Sequence, residues 1–175
     1  MQHFGKSTRQ LDWTTNPWVA TWFMLWGALR EALTELRKTK TVTGEMAFFE
    51  LNATRFNELI KDKGMPIRFF TPDYTLNENA NAQEGLMSYM QTSSPFDKPV
   101  DTRPMDIQVC EFLIDNSLRF RKYFAKYNMS QKDCVIGLDL CAQNGYRADT
   151  LFPNEQGKIW QKQLEKDMLE FERNL

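Results

Sequence analysis

Apolar residues recur every three or four positions along several stretches of the chain, a spacing typical of amphipathic helices. The clearest stretch begins at Asn16 and Pro17. Asn is a good N-cap, and Pro suits the first helical position because its missing N–H has no partner there. We predict a helix from Pro17 to about Lys38. Three tryptophans spaced four residues apart place their indole rings along one side of this helix: Trp18, Trp22 and Trp26.

A second helix is predicted from Glu45 to Lys63. Gly64 and Pro66 then form a strong stop, because Gly takes the left-handed position after a helix and Pro prevents its continuation. The apolar residues that keep the helical spacing are Met46, Phe49, Ala53, Phe56 and Ile60.

The region from Met65 to Met105 has a different composition. It holds five of the seven prolines and the Asn-rich run 77–81, and within it only Gly85–Gln91 is predicted as a short helix. A connection of this length is unusual inside a compact domain. We therefore interpret 65–105 as an extended arm whose aromatic residues lie on another surface.

Three more helices are predicted in the last third of the chain. One runs from Asp106 to near Tyr127, the next is capped by Ser130 and stops at 144–145, and the last runs from Glu155 to about Arg173. The predicted fold is all-α. It has four to five amphipathic helices and a long Pro/Asn-rich extended insertion between the second and third major helices.

These elements predict one helical unit over residues 1–175 with three parts. They are a Trp-rich helical hairpin over 1–64, the extended arm over 65–105, and a three-helix part over 106–175.

Composition narrows the functional classes. The chain has 175 residues, 42% of them hydrophobic, and a formal net charge of -1. The hydrophobic fraction excludes wholesale disorder, and the near-neutral charge argues against a nucleic-acid binder. Three cysteines argue against a disulfide scaffold and favour an intracellular, reducing compartment. The longest apolar run, Trp18–Leu29, has twelve residues and is too short to span a bilayer.

Motifs for catalysis and metal binding are absent from the sequence. There is no nucleophile elbow, no Gly-rich phosphate loop and no CxxC pair, and His3 is the single histidine. Positions 73–84 weakly resemble an EF-hand loop, but Glu78 stands where that loop needs Gly, so a polar turn is favoured. We expect no cofactor, no metal and no enzymatic activity.

The tryptophan side of the first helix has two interpretations. The rings either pack in the protein's own core or contact a partner or a membrane, since Trp is enriched at both kinds of interface. The second interpretation, extended to the aromatic residues of the arm, predicts an interface made of Trp18, Trp22, Trp26, Phe69, Phe70, Tyr74 and Phe96.

Four cations cluster late in the predicted 106–127 helix. Cations there suit the helix dipole, and they also suit acidic lipid headgroups or a carboxylate-rich neighbour. Nucleic acid is disfavoured because acidic residues are close and the chain as a whole is not basic. The residues are Arg119, Arg121, Lys122 and Lys126.

These features favour a non-catalytic accessory subunit of a larger, membrane-associated complex, with other protein subunits as partners and no nucleic acid. The periphery of the mitochondrial inner membrane is the preferred setting. The main alternative is a free-standing soluble binding protein or inhibitor that blocks a single target. An enzyme with carboxylate-based chemistry ranks third.

Overall fold

The computed structural model describes residues 10–90 and 103–175. They form a mixed α/β fold with two antiparallel sheets, so the all-α prediction is wrong. In chain order, the elements are β1 (Gln10–Thr14), α1 (Pro17–Thr39), β2 (Glu45–Leu51), α2 (Ala53–Lys63), β3 (Ile67–Phe70), α3 (Glu78–Ala82), β4 (Gly85–Met90), α4 (Met105–Asp115), β5 (Phe124–Ser130), α5 (Cys134–Gln143), α6 (Ala148–Leu151) and α7 (Glu155–Asn174).

The described residues divide into two compact units, each with its own apolar core. Unit 1 contains residues 10–13, 49–71, 86–90 and 103–126. Unit 2 contains residues 14–48, 72–85 and 127–175.

The first helix of unit 2 confirms its sequence prediction. The Asn16 side chain accepts hydrogen bonds from the backbone N–H groups of Trp18 and Val19, and Pro17 takes the first helical position. At the other end Lys40 adopts a left-handed conformation and its N–H donates to the Leu36 carbonyl. Capping at both ends supplies partners for backbone groups that the helix itself leaves unpaired.

Helix α1 is the centre of unit 2, where it packs against α5 and α7. Its apolar side chains are the largest contribution that any single element makes to that unit's core. Close approach to α5 depends on Gly137, because a Cβ there would lie 2.7 Å from a Leu25 methyl carbon. The predicted helices over α5 and α7 are confirmed, and α7 buries Leu164 and Phe171 as expected.

Unit 1 is built on the sheet with strand order β1-β4-β3. Strands β3 and β4 pair antiparallel, with Ile67 opposite Met90 and Phe70 opposite Met87. One face of this sheet packs on a core centred on Phe56 of α2 and Val109 of α4.

The predicted helix over Glu45–Lys63 is wrong in its first half, which is strand β2. Its second half is helix α2, capped by Asn52, whose side chain accepts from the Arg55 N–H. Met46 is buried in the core of unit 2, whereas Phe49 packs against the core of unit 1. These two side chains are three residues apart, which is also the spacing of residues on one face of a helix. The sequence pattern therefore predicted a single helix although the two side chains belong to different cores.

The predicted helix over Asp106–Tyr127 is also too long, because α4 ends at Asp115. Ser117 then adopts a left-handed conformation with φ 55°, which a continuing helix does not allow. The following residues form a short 3₁₀ turn over Phe120–Lys122 and then strand β5.

The prediction of an extended arm over residues 65–105 is also wrong for the part of that range that the structure describes. Residues 67–70 and 85–90 are the paired strands β3 and β4, and 85–90 is not the short helix that we predicted. Pro66 and Pro72 flank β3 rather than marking irregular structure. Residues 91–102 lie outside the described residues.

The cysteines are free thiols. Burial raises the pKa of both Cys134 and Cys141 to about 11. Cys110 is half-buried, and burial together with the nearby Asp106 carboxylate raises the pKa of its thiol too.

Alanine substitutions at two glycines in helices of unit 2 test how closely those helices pack against neighbouring backbone. A Cβ at Gly157 would overlap the Phe152 carbonyl oxygen, whereas a Cβ at Gly27 would meet nothing within 4 Å. We expect Gly157→Ala to lower the free energy of unfolding by about 3 kcal/mol, because the obstacle is backbone. We expect Gly27→Ala to raise it by roughly 0.5–1 kcal/mol, because Ala loses less backbone entropy than Gly. Urea unfolding curves measure both changes, and equal effects would contradict the packing described here.

Thiol reactivity tests the burial of the cysteines. The thiolate is the reactive form, so a raised pKa and burial both slow attack on a disulfide reagent. In native protein at pH 8 we expect Cys110 to react first with Ellman's reagent, and Cys134 and Cys141 to react only as the chain unfolds. A Cys110→Ser variant serves as the control and should remove the early phase. An early phase that persists in that variant would show that unit 2 is open.

Candidate functional site: an aromatic sheet face in unit 1

The β3–β4 pair presents an outward surface that we call the aromatic sheet face. Side chains alternate between the two faces of a strand. Ile67, Phe69 and Met90 belong to or pack against the core of unit 1. The residues between them point the other way, and the register sets Arg68 opposite Tyr89 and Phe70 opposite Met87. The aromatic sheet face consists of Arg68, Phe70, Met87 and Tyr89.

Two exposed aromatic rings are the main feature of this face. Phe70 and Tyr89 are 37% and 38% exposed, and their ring centroids lie 6.2 Å apart in a T-shaped arrangement. Arg68 is held at the face because its guanidinium donates to the carbonyls of Met65 and Ile67, both at 2.8 Å. The strands are paired through their backbones, so the register fixes which residues share this face.

The inner face of the same sheet is anchored by a polar pair. The Trp13 indole N–H donates to Ser88 Oγ at 2.6 Å, and Ser88 is fully buried. Ser88 Oγ in turn lies 3.6 Å from the Met105 sulfur. A buried hydroxyl with partners on both sides fixes which face of β4 points inward, because a shift of one residue would expose it.

The predicted tryptophan interface lies mostly against the protein's own side chains. Trp22 is 1% exposed, in the core of unit 2. Trp26 is half-buried against Trp160 at 5.6 Å between centroids, and Trp18 is half-buried and stacks on Tyr146 at 6.0 Å. A partner has no access to Trp22 in this structure and reaches only parts of the other two rings.

The predicted aromatic residues of the arm fall in three different places. Phe70 is exposed on the aromatic sheet face, whereas Phe69 points to the core and contacts Phe56 edge-on. Tyr74 is half-buried in unit 2, where its hydroxyl donates to the Gly85 carbonyl at 2.8 Å. Phe96 lies outside the described residues.

The four predicted cations are all exposed and belong to unit 1. We call residues 116–126 the basic segment, since they include four basic side chains and no acidic one. Lys126 Nζ lies 5.4 Å from the centre of the Phe49 ring. Helix α4 ends at Asp115, so this segment is not the last turn of a helix and the dipole explanation for its cations is wrong.

A second polar cluster lies at the start of α1 in unit 2. The Asn16 side-chain N–H₂ group donates to Glu84 Oε1 at 2.7 Å and to the Tyr146 hydroxyl at 3.0 Å. The Thr15 hydroxyl donates to the other Glu84 oxygen at 3.2 Å. Glu84 has φ 46°, a conformation that non-glycine residues seldom adopt. The polar groups of this cluster form hydrogen bonds with one another, so the cluster stabilises the start of α1.

The positions that resemble a calcium loop form a polar turn instead. Asp73 accepts hydrogen bonds from the hydroxyl and backbone N–H of Thr75, and these bonds lower the pKa of its carboxyl. Asn77 caps α3 by accepting from the Ala80 N–H. Across residues 10–90 and 103–175, no group of three or more His, Cys, Asp or Glu could hold a metal ion.

A small hollow in unit 2 is lined by Trp22, Tyr146, Arg147 and Glu165, among others, and has a volume of about 170 Å³. Ligand pockets are usually about 300 Å³ or more. Arg147 forms an ion pair with Asp149 at 2.8 Å.

No helix within residues 10–90 and 103–175 combines the length and the apolar character that crossing a membrane requires.

Sequence reasoning missed Arg68, Met87 and Tyr89 as members of a common surface. The residue types of 67–70 and 87–90 carry no alternating signal that could have found them, because the polar Ser88 is buried while the apolar Phe70 is exposed. The prolines near both ends of β3 also suggested an irregular segment.

Comparison with known proteins yields one partial similarity. A family model described as the FRG domain matches residues 1–32, which is 32 of the 175 residues. The described part of that match contains β1, the Asn16 cap and about the first two thirds of α1. No curated protein and no solved structure matches the chain.

Proposed function

We propose that this protein is a non-catalytic, protein-binding subunit of a larger assembly and that it binds its partner through the aromatic sheet face. The single observation that carries the proposal is the exposed Phe70–Tyr89 pair on a backbone-paired sheet. Exposed aromatic side chains in fixed positions are typical binding anchors, because they bury a large area at a small cost in side-chain entropy.

The composition of the face supports a protein partner. Aromatic residues, Met and Arg are enriched in the centres of protein–protein interfaces, whereas Lys, Glu, Asp and Ser are depleted. The face contains two aromatic residues, one Met and one Arg. A matching partner surface is apolar at its centre.

The strand order adds a second route for contact. Within the described residues β3 has a hydrogen-bonded neighbour on one side only, namely β4. An unpaired strand edge exposes backbone N–H and C=O groups to which a partner's strand can add. The edge and the face meet along β3, so a single partner can use both.

The proposal predicts loss of binding when the face is altered. We expect Phe70→Ser combined with Tyr89→Ser to weaken partner binding at least tenfold, because anchors at an interface centre cost about 2 kcal/mol or more when removed. Leu76→Ser is the matched control, since Leu76 is 85% exposed and lies in unit 2. Phe70 and Tyr89 contact each other and are 37% and 38% exposed, so the double variant should lose about 1–2 kcal/mol more stability than the Leu76 variant. Binding is therefore compared under conditions in which urea unfolding shows both variants to be folded.

The measurement has two steps. A photo-crosslinking amino acid at position 70, or at position 76 as a control, identifies the polypeptide in contact with the face in cells of the native source. That polypeptide is then purified and titrated with the parent chain and both variants. Crosslinking from position 76 alone, or equal affinities for the parent and the face variant, would refute the proposal.

A further inference from the structure

We infer that the basic segment, residues 116–126, is a docking surface for anionic lipid headgroups. The inference is independent of the aromatic sheet face and concerns a different part of unit 1. It starts from the charge of the two units. The described residues of unit 1 contain nine basic and seven acidic side chains, whereas those of unit 2 contain ten basic and fourteen acidic. Four of the nine cations of unit 1 lie within the eleven residues of the basic segment.

The fold does not use these cations for its own stability. Arg119, Arg121 and Lys122 form no ion pair with a carboxylate anywhere in residues 10–90 and 103–175, and Lys126 contacts the Phe49 ring. The helix dipole is not available to them either, since α4 ends at Asp115. Exposed like charges close together in sequence repel each other, so an external anion is their natural partner.

The segment is held rigidly by the residues between the cations. Phe124 is buried, and its ring meets Phe120 at 5.2 Å between centroids in a T-shaped contact. Tyr123 meets Phe56 edge-on at 6.1 Å, and its carbonyl accepts from the Asn52 N–H. The aromatic rings therefore pack against the core of unit 1, while Arg119, Arg121 and Lys122 are exposed to solvent.

This orientation favours lipid over nucleic acid as the anion. Proteins that bind single-stranded nucleic acid combine their cations with exposed aromatic rings on which successive bases stack. Here Phe120, Tyr123 and Phe124 are engaged with the core, and the exposed ring of Tyr127 follows the segment rather than lying between its cations. Each Lys or Arg near an anionic membrane surface contributes about 1 kcal/mol to binding, roughly fivefold in affinity, and the segment presents four of them.

An exposed apolar side chain next to the segment also favours a membrane surface. Ile114 is 72% exposed, and its carbonyl accepts from the Ser117 N–H at 2.9 Å, within the turn that leads to Arg119. Apolar side chains beside cations insert into the boundary between headgroups and acyl chains. Of the nearby acids, Glu111 is paired with Arg103, whereas Asp115 is exposed and reduces the local charge from +4 to +3.

The test uses the purified full chain and vesicles in a flotation assay. One vesicle set is phosphatidylcholine alone, and the other contains 30 mol% phosphatidylserine. We expect binding to the anionic set only, and weaker binding as salt is raised from about 50 to 300 mM, because added salt screens exposed charges.

A charge-matched pair of variants assigns the effect to the basic segment. The triple change Arg119→Gln, Arg121→Gln and Lys122→Gln should reduce vesicle affinity roughly a hundredfold, on the order of fivefold per cation. The control removes three exposed cations from unit 2 by Lys132→Gln, Lys162→Gln and Lys166→Gln, and should change affinity less than threefold. Lys126 is left unchanged because it contacts Phe49.

A third variant and a soluble anion separate lipid from nucleic acid. Ile114→Gln should weaken vesicle binding and leave the binding of a short single-stranded oligonucleotide unchanged. Equal losses in the two triple variants, or no binding to anionic vesicles, would overturn the inference. Tighter binding of the oligonucleotide than of the vesicles would overturn it as well and would identify nucleic acid as the anion.

Discussion

The burial of α1 is the constraint on which unit 2 depends. This helix carries apolar side chains nearly all round in its first turns, so cover on a single side would leave large rings in water. Helices α5 and α7 provide part of the cover. The turn before α7 provides more, because Phe152 contacts Trp22 and Trp26 and packs edge-on against Trp160 at 4.7 Å between centroids. Glycine at 137 and 157 permits the close approach that these contacts require.

Unit 1 depends on a different constraint, namely that one face of a small sheet packs on the core while the other face points away from it. The inner face has Ser88 bonded to Trp13 and packs on the core. The outer face is then left with Arg68, Phe70, Met87 and Tyr89, because alternate residues of a strand must point in opposite directions. The position of the exposed aromatic rings is therefore a consequence of which residues the core requires.

The location of accessible aromatic surface changes the functional interpretation. The amount of aromatic residue in the sequence suggested that Trp18, Trp22 and Trp26 contact neighbours, yet Trp22 is enclosed by its own unit. The exposed Phe70–Tyr89 pair lies on a sheet that the sequence analysis did not predict. Tyr127 on β5 is also exposed, and Trp18 and Trp26 are partly exposed. The protein-binding function is thus proposed for unit 1. The similarity of residues 1–32 to the FRG domain concerns β1 and α1 and supports neither interface.

Local chemistry was enough to predict the elements whose ends carry their own signals. Helix α1 begins at Asn16–Pro17, α2 ends at Gly64 with φ 65°, and α5 ends before Asn144–Gly145. Each of these ends is stabilised by hydrogen bonds between residues close in the chain. All five strands of the described residues were missed because a strand is stabilised by a partner distant in sequence. Met46 and Phe49 show the reason most directly, since their helical spacing arises from two separate cores. The sequence by itself determined those helix ends that carry their own caps and stop residues. Only the tertiary structure decided that residues 45–51 and 124–130 are strands and which aromatic rings are covered, because strand pairing and burial depend on contacts between residues far apart in the chain.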